Sequence, residues 1–328
     1  MATATTEHEL SVIIAGAGST GLLVAQVLKK VGIACTVYEA DPTPTHRPRD
    51  WNFGIYWAQS PLGNCLPQEL NDQLTACQVD IHTPAADDIL PVLNGKTGEV
   101  LKEVAAPFNL RLQRRKFIQL LGTGIDIQYG KRLVGVESGN GIAKAKFEDG
   151  SEHTANLLIG AEGAHSVVRN FLCGPEKGAL KESPLVANAT ICRLPAENAL
   201  AIRKLHHRST IWFHPNNSFT WFGVHNAYER DNPEDWEFMF LQSWKEEDST
   251  PLSQTKILQD MKTRADDFAD PYKSCVYAIA EGTKCWRSRL KYWPTEPWDN
   301  LNGTVTLAGD AAHPMTFRKS LHFHLASL

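Results

Sequence analysis

The first cluster of apolar positions, Val12 to Ala15, is short enough for a buried strand and runs straight into Gly16-Ala-Gly18-Ser-Thr-Gly21. Apolar residues then recur through Leu22-Leu-Val-Ala-Gln-Val-Leu-Lys-Lys, which predicts a helix, and a second run, Ile33 to Tyr38, ends at Glu39. Further along, Leu66 to Leu74 predicts a short helix after Pro67, with Leu70 and Leu74 at helical spacing. Ile89 to Gly95 and Glu99 to Val104 predict a hairpin around Asn94-Gly95. Asn109 to Leu121 predicts a helix with Phe117, Ile118 and Leu121 on its apolar face and Arg114 near its start. Short strands follow at Ile125 to Tyr129, Leu133 to Glu137 and Ala143 to Phe147, with a turn at Asp149-Gly150.

The run Ala155 to Gly160 predicts a buried strand that leaves into a loop carrying Glu162 and Gly163, and then a helix begun near Ser166. From about 185 to 286 the rhythm changes. Asn188 to Arg193, Ser209 to His214 and Ser218 to His225 predict strands, whereas Trp236 to Trp244 and Ser253 to Arg264 predict helices. Thr304 to Ala308 is again a buried strand, ending in Gly309-Asp310-Ala-Ala-His-Pro314. The whole predicts an α/β protein. A Rossmann-like, three-layer domain takes residues 1–80, 108–180 and 294–328, and an inserted, largely antiparallel β-sheet domain takes 81–107 and 181–293.

The opening unit carries the first chemistry. Its glycines stand at the G-x-G-x-x-G spacing: Gly16 for a tight turn, Gly18 for close approach of backbone to a pyrophosphate, and Gly21 for close packing of helix on strand. Glu39 ends the second strand, where a carboxylate accepts from ribose hydroxyls and repels a 2'-phosphate. These residues predict an adenine dinucleotide and disfavour NADP at this place. FAD and NAD both remain open on this evidence. The stretch Trp51 to Ala58 is dense in aromatics around Gly54, which reads equally as a packed core segment or as backbone passing close to a cofactor. Arg114 near a helix start is opposed by the helix dipole, so it is either solvated or faces an anionic or hydroxyl-rich partner. Asp310 at a strand tip is well placed to hydrogen-bond a hydroxylated ligand.

Composition narrows the class. The chain has 328 residues, 42% hydrophobic and 21% charged, with a formal net charge of -4. No basic tract is long enough for nucleic acid, and no apolar run reaches the roughly 18 residues of a membrane-spanning helix. The polar, acidic N-terminus reads as neither signal nor transit peptide, which makes the cytoplasm the default expectation. Cysteines 35, 65, 77, 173, 192, 275 and 285 lack any C-x-x-C and read as reduced thiols. His165, His206, His207, His214 and His225 predict no metal site. Trp212, Phe213, Trp221 and Phe222 read as sheet packing, with a cleft for a flat apolar substrate as the alternative.

Taken together, the segments resemble the aromatic-hydroxylase-like FAD-dependent monooxygenases, especially fungal members, over nearly the whole chain. Gly16, Gly18, Gly21 and Glu39 match that family's pyrophosphate turn and ribose acid. Arg114 is similar to its helix-borne FAD-holding arginine. Glu162-Gly163 with His165, Ser166 and Arg169 is similar to its Asp-Gly motif, with Glu in place of Asp. Gly309-Asp310 matches the motif whose aspartate contacts the ribityl chain.

The resemblance implies FAD as cofactor and NADPH or NADH as co-substrate. It implies hydroxylation or epoxidation of a small, aromatic or polyketide-like molecule with O2 through a flavin C4a-hydroperoxide. It also implies a monomer or homodimer without nucleic-acid or membrane partners. Arg193 and Tyr228 are its candidates for positioning substrate or flavin. A flavin oxidase or dehydrogenase on the same fold, or a poorly active remnant, is the rival expectation. The remnant reading rests on Phe317 to Leu328, where the family's glycine-rich turn and long helix are missing. It implies weak FAD binding or poor coupling of nicotinamide oxidation to product.

Overall fold

The computed structural model describes residues 10–56, 58–83, 87–106, 109–229, 231–246 and 251–316. Phe317 to Leu328, on which the expectation of a missing flavin-covering segment rests, lie outside the described residues.

β1 (Ser11–Ala15) is buried at four of its five positions, and α1 (Ser19–Lys30) and β2 (Ala34–Glu39) complete the opening unit. Lys29 and Lys30 close the last turn of α1, where the dipole favours cations. Gly16 has φ +104°, and a Cβ there would stand 2.5 Å from the Ala161 carbonyl oxygen. At Gly21 a Cβ would stand 2.0 Å from the Gly16 carbonyl oxygen, so only glycine lets the helix lie this close to the strand.

The chain continues through β3 (Asn52–Ile55), α2 (Gln59–Cys65) and α3 (Gln68–Asn71). Then come β4 (Asp88–Asn94), β5 (Val100–Ala106), β6 (Leu110–Gln113) and α4 (Arg114–Leu121). Two expectations are corrected here. The helix expected over 66–74 does start after Pro67, as α3, but is a single turn that ends at Asn71, and Leu74 begins a separate 3-10 turn. The helix expected from Asn109 begins only at Arg114. The four residues before it, all buried, form β6 and pair antiparallel with β3. Burial and ladder hydrogen bonds override the local helical pattern.

Next in order are β7 (Ile127–Tyr129), β8 (Leu133–Gly139), β9 (Ile142–Phe147), β10 (Glu152–Ala155), β11 (Leu157–Gly160) and α5 (Val167–Lys177). β12 (Lys181–Arg193), α6 (Ala196–Leu205), β13 (Ser209–Phe213), β14 (Phe219–Asn226) and β15 (Glu237–Lys245) follow. α7 (Gln254–Ala265), α8 (Tyr272–Tyr277), β16 (Cys285–Tyr292) and β17 (Val305–Leu307) end the described fold. The segment 236–244, expected to be helical, is instead β15, paired with β12 on one side and β14 on the other. Its Phe238 and Phe240 alternate with Met239 and Leu241, a period of two that places the phenylalanines in the main core.

β17, β11, β1, β2 and β7 form one five-stranded sheet in that order, all parallel. One face is covered by α1 and α4 and the other by the antiparallel meander β10-β9-β8, which makes three layers. Gln26 on α1 donates to the Leu121 carbonyl at 2.6 Å, locking the two helices together. The seven-stranded sheet runs β16-β12-β15-β14-β13-β4-β5, antiparallel except for the β13–β4 pair. Helices α6, α7 and α8 pack on one of its faces around Trp212, Phe238, Phe240, Met261 and Tyr272.

Three buried or half-buried arginines on and beside this second sheet are charge-matched. Arg203 meets Asp80 at 2.5 Å, Arg208 meets Asp88 at 3.4 Å, and Arg287 meets Glu246 at 2.7 Å and Asp260 at 3.1 Å. Asp88 also lies within 3.2 Å of both His206 and His207. His206 Nδ1 accepts from the Arg208 and Ser209 amides, which directs its Nε2–H toward Asp88. Burial alone would raise the Asp88 carboxyl, but hydrogen bonds from Asn109 and His206 outweigh it and bring it down to about 2.

Two predictions follow from this packing. Gly21→Val drives a side chain into the Gly16 carbonyl and is expected to lower stability by about 1–3 kcal/mol, read as a fall in the urea midpoint. The Asp88 carboxyl titrates lower in the folded chain than its ordinary 3.8, so its stabilisation is present above about pH 4 and is lost as pH falls through about 2. Asp88→Asn is therefore expected to be less stable than the native chain at neutral pH, and the gap should close between about pH 4 and 2 in pH-dependent urea unfolding.

Candidate functional site

Parallel alignment brings the C-terminal ends of β1, β2, β11 and β17 to one edge, the place where open α/β sheets bind ligands. A cleft of about 980 Å³ lies there. Gly16, Gly18, Glu39, Arg114, Glu162, Gly163 and Asp310 all line it, although they come from four separate stretches of the chain. Gly21 and Gly309 stand just behind. Gly309, at φ +60°, packs so close to Thr20 that a Cβ would be 2.5 Å from its hydroxyl, which seats the Asp310 turn on the start of α1.

The N-terminus of α1 is open. Gly18 is extended and no side chain caps the helix, so its first amides face the cleft without intrahelical acceptors. A Cβ on Gly18 would meet nothing within 4 Å, which leaves the space over the turn free for a ligand's phosphates. Glu39 is held in place by backbone: Oε2 accepts from the Ala17 amide and Oε1 from the Asp41 amide, each at 2.8 Å. Each oxygen keeps a further lone pair for a ligand hydroxyl.

Arg114 is the first residue of α4, and its backbone amide is fixed on the Trp51 carbonyl at 2.8 Å. Its guanidinium has no hydrogen-bond partner among the described residues. Burial and the neighbouring Arg47 both work against its charge, while Asp50, Glu39 and Asp41 favour it. Asp310 is exposed to the cleft, and its carboxylate likewise has no partner among the described residues. One cation and one anion thus face the cleft with open valences.

Glu162 folds back over Gly160, where a Cβ would stand 3.0 Å from Oε2. Its Oε1 accepts from the Val168 amide at 2.8 Å, whereas Oε2 is buried with no hydrogen-bond partner among the described residues. Burial pushes this carboxyl above the usual range, against the hydrogen bond from Val168. Ser166 caps α5 by accepting from the Arg169 amide at 2.9 Å. Buried Arg169 donates to the carbonyls of Gly178 at 2.8 Å and Ala311 at 3.0 Å, and also to Ala164, which ties the Glu162 loop to the Asp310 turn.

Three expected residues lie elsewhere. Gly54 does not line the cleft; the contact that excludes a side chain there is with the Tyr56 ring, whose hydroxyl would be 2.5 Å from a Cβ. Arg193 is an exposed residue at the end of β12, paired with Asp235 at 3.2 Å. Tyr228 donates to the Gln78 carbonyl at 2.9 Å beneath the Lys116 ammonium, and burial raises its phenol to about 12. Neither of these two side chains lines the cleft. Sequence reading missed Trp51, Phe53, Ile118, Tyr129 and Lys131, which do line it. The aromatic density at 51–57 was the available signal for the first two.

A family model described as the FAD binding domain matches residues 9–51. The FAD-dependent monooxygenase cctM of Talaromyces islandicus is 54% identical over 308 residues, which are 94% of this chain and 78% of that protein. The FAD-dependent monooxygenase dbaB of Emericella nidulans is 35% identical over 329 residues, 95% of this chain and 82% of its own length. Among solved structures, Klebsiella pneumoniae HpxO complexed with FAD and uric acid has a TM-score of 0.73 at 18% identity, covering 94% of this chain and 74% of that one. The 2,6-dihydroxypyridine-3-hydroxylase of Arthrobacter nicotinovorans has a TM-score of 0.70 at 18% identity, covering 93% and 78%. With relatives this similar over nearly all of its length, the chain belongs to the fungal FAD-dependent monooxygenases.

Proposed function

We propose that the chain holds FAD in the cleft at the end of β1 and uses NADPH or NADH with O2 to hydroxylate or epoxidise a small aromatic or polyketide-like molecule. The observation that carries this reading is the convergence of Gly18, Glu39, Arg114 and Asp310 on one cleft, with the last two side chains making no hydrogen bond or ion pair among the described residues. Both fit the donor and acceptor pattern of the cofactor. The open α1 N-terminus meets the pyrophosphate, Glu39 accepts from the adenosine ribose, and Asp310 accepts from ribityl hydroxyls. Arg114 supplies positive charge on the opposite wall.

When bound, FAD supplies hydride uptake from the nicotinamide and electron delivery to O2. The overall balance takes NAD(P)H, a proton, O2 and substrate to NAD(P)+, water and a product carrying one oxygen atom. Glu39 repels a 2'-phosphate from the adenosine end of this site, so NADPH docks outside it. The protein's own contribution is positioning and exclusion of water, with Trp51, Phe53 and Ile118 as apolar walls.

Asp310→Ala and Arg114→Ala are each expected to weaken FAD binding by about tenfold, measured by flavin fluorescence titration, with thermal stability nearly unchanged. Nicotinamide oxidation by the FAD-loaded chain is expected to consume O2 one to one and to yield oxygenated product by mass spectrometry. FAD affinity untouched by both substitutions would overturn the site, and nicotinamide oxidation that continues past one equivalent per bound flavin without O2 would overturn the reaction.

A further inference from the structure

Arg111 is 7% exposed, in the middle of β6. Its Nε donates to Asn52 Oδ1 at 2.7 Å, one Nη reaches the Tyr56 hydroxyl at 3.4 Å, and the guanidinium lies 4.3 Å from the centroid of the Trp221 ring. All three partners are neutral. Among the described residues no carboxylate comes within ion-pair distance, in contrast to Arg203, Arg208 and Arg287, each of which has its own acid. Asn52 in turn donates its amide toward the ring of His225 at 3.1 Å, and the carboxylates nearest that ring, Asp50 and Glu237, make no ion pair with Arg111. Burial holds that histidine below its ordinary range, against Asp50 and Glu237, which favour its charge. Buried charges are normally paired, because desolvation without compensation is expensive. Arg111 keeps N–H donors with no acceptor among the described residues.

Its position is informative. β3 and β6 form a two-stranded ribbon in which Arg111 stands opposite Gly54. Three residues further on, about 10 Å along a strand, Arg114 lines the cofactor cleft. On the other side, Trp221 belongs to the face of the seven-stranded sheet that the helices leave uncovered, with Phe213 and Leu241 also partly exposed. An uncompensated cation is therefore set between the proposed flavin site and a flat apolar wall.

Resting on the function proposed above, we infer that Arg111 is a specificity-determining residue that binds an anionic oxygen, carboxylate or ionised phenol, of a flat aromatic substrate lying against the Trp221 face. A neutral ring would leave the guanidinium uncompensated, and a cationic one would be repelled. Contact with the Trp221 ring and the bond from Nε to Asn52 restrain the guanidinium, which limits where its free N–H donors can point.

Isothermal titration of the FAD-loaded chain with 3-hydroxy-2-naphthoate and with its methyl ester tests this directly. The naphthoate is expected to bind about tenfold more tightly than the ester or better. Arg111→Met should lower naphthoate affinity by about tenfold or more and leave the ester within about threefold, while Arg111→Lys should keep part of the preference. Equal binding of the two probes by the native chain, no detectable naphthoate binding, or a preference that survives Arg111→Met would each overturn the inference. The native comparison needs no variant, so poor folding of Arg111→Met does not shield it. FAD content and O2 consumption, recorded on the same preparation, separate failure of the monooxygenase reading from failure of anion recognition.

Discussion

The tight crossing of α1 over β1 is the constraint on which the rest depends. The Gly16 carbonyl occupies the space where any side chain at position 21 would go, and a Cβ on Gly16 would strike the Ala161 carbonyl. Two missing side chains thus set the distance between helix, first strand and the end of β11. Because β1 is the central strand of five parallel ones, the same contact fixes where β2 delivers Glu39, β11 delivers Glu162 and β17 delivers Asp310. Parallel strands share an edge for their C-termini, and chemistry that lies far apart in sequence is collected there.

Charge matching is the second organising theme. Several buried or half-buried arginines are neutralised within the chain: Arg203 by Asp80, Arg208 by Asp88, Arg287 by Glu246 and Asp260. Arg169 instead spreads its donors over backbone carbonyls from the two loops that border the cleft. Arg114 and Arg111 make no ion pair among the described residues, and they lie on the β3–β6 ribbon and the helix it feeds. Such residues are costly for stability unless a ligand compensates them. Arg111 on β6 and Arg114 at the start of α4 stand three residues apart, the second lining the cleft at the end of β1 and the first against Trp221.

Much of this was legible in the sequence. The βαβ start, the loop at Glu162 and the turn at Asp310 each combine a buried apolar run with a glycine and a polar residue, and each is local enough to be read alone. What was not legible depends on pairing. Trp236 to Trp244 is so rich in apolar residues that strand and helix periods both fit, and only its position between β12 and β14 decides for the strand. Arg111 was hidden for the same reason. Read as the start of a helix, Leu110-Arg-Leu-Gln gives its arginine a solvated face; paired with β3 it becomes buried. Arg193 and Tyr228, nominated by resemblance rather than by local chemistry, are engaged with Asp235 and Gln78 instead of the cleft.

The most direct measurement is the visible spectrum of the purified chain after reconstitution with FAD and removal of free flavin, followed anaerobically on addition of NADPH. One bound flavin per chain, bleached by NADPH and restored when O2 is admitted, is the result expected if the converging motifs form a working flavin site. A chain that retains no flavin, or a bound flavin that NADPH does not reduce, would contradict it.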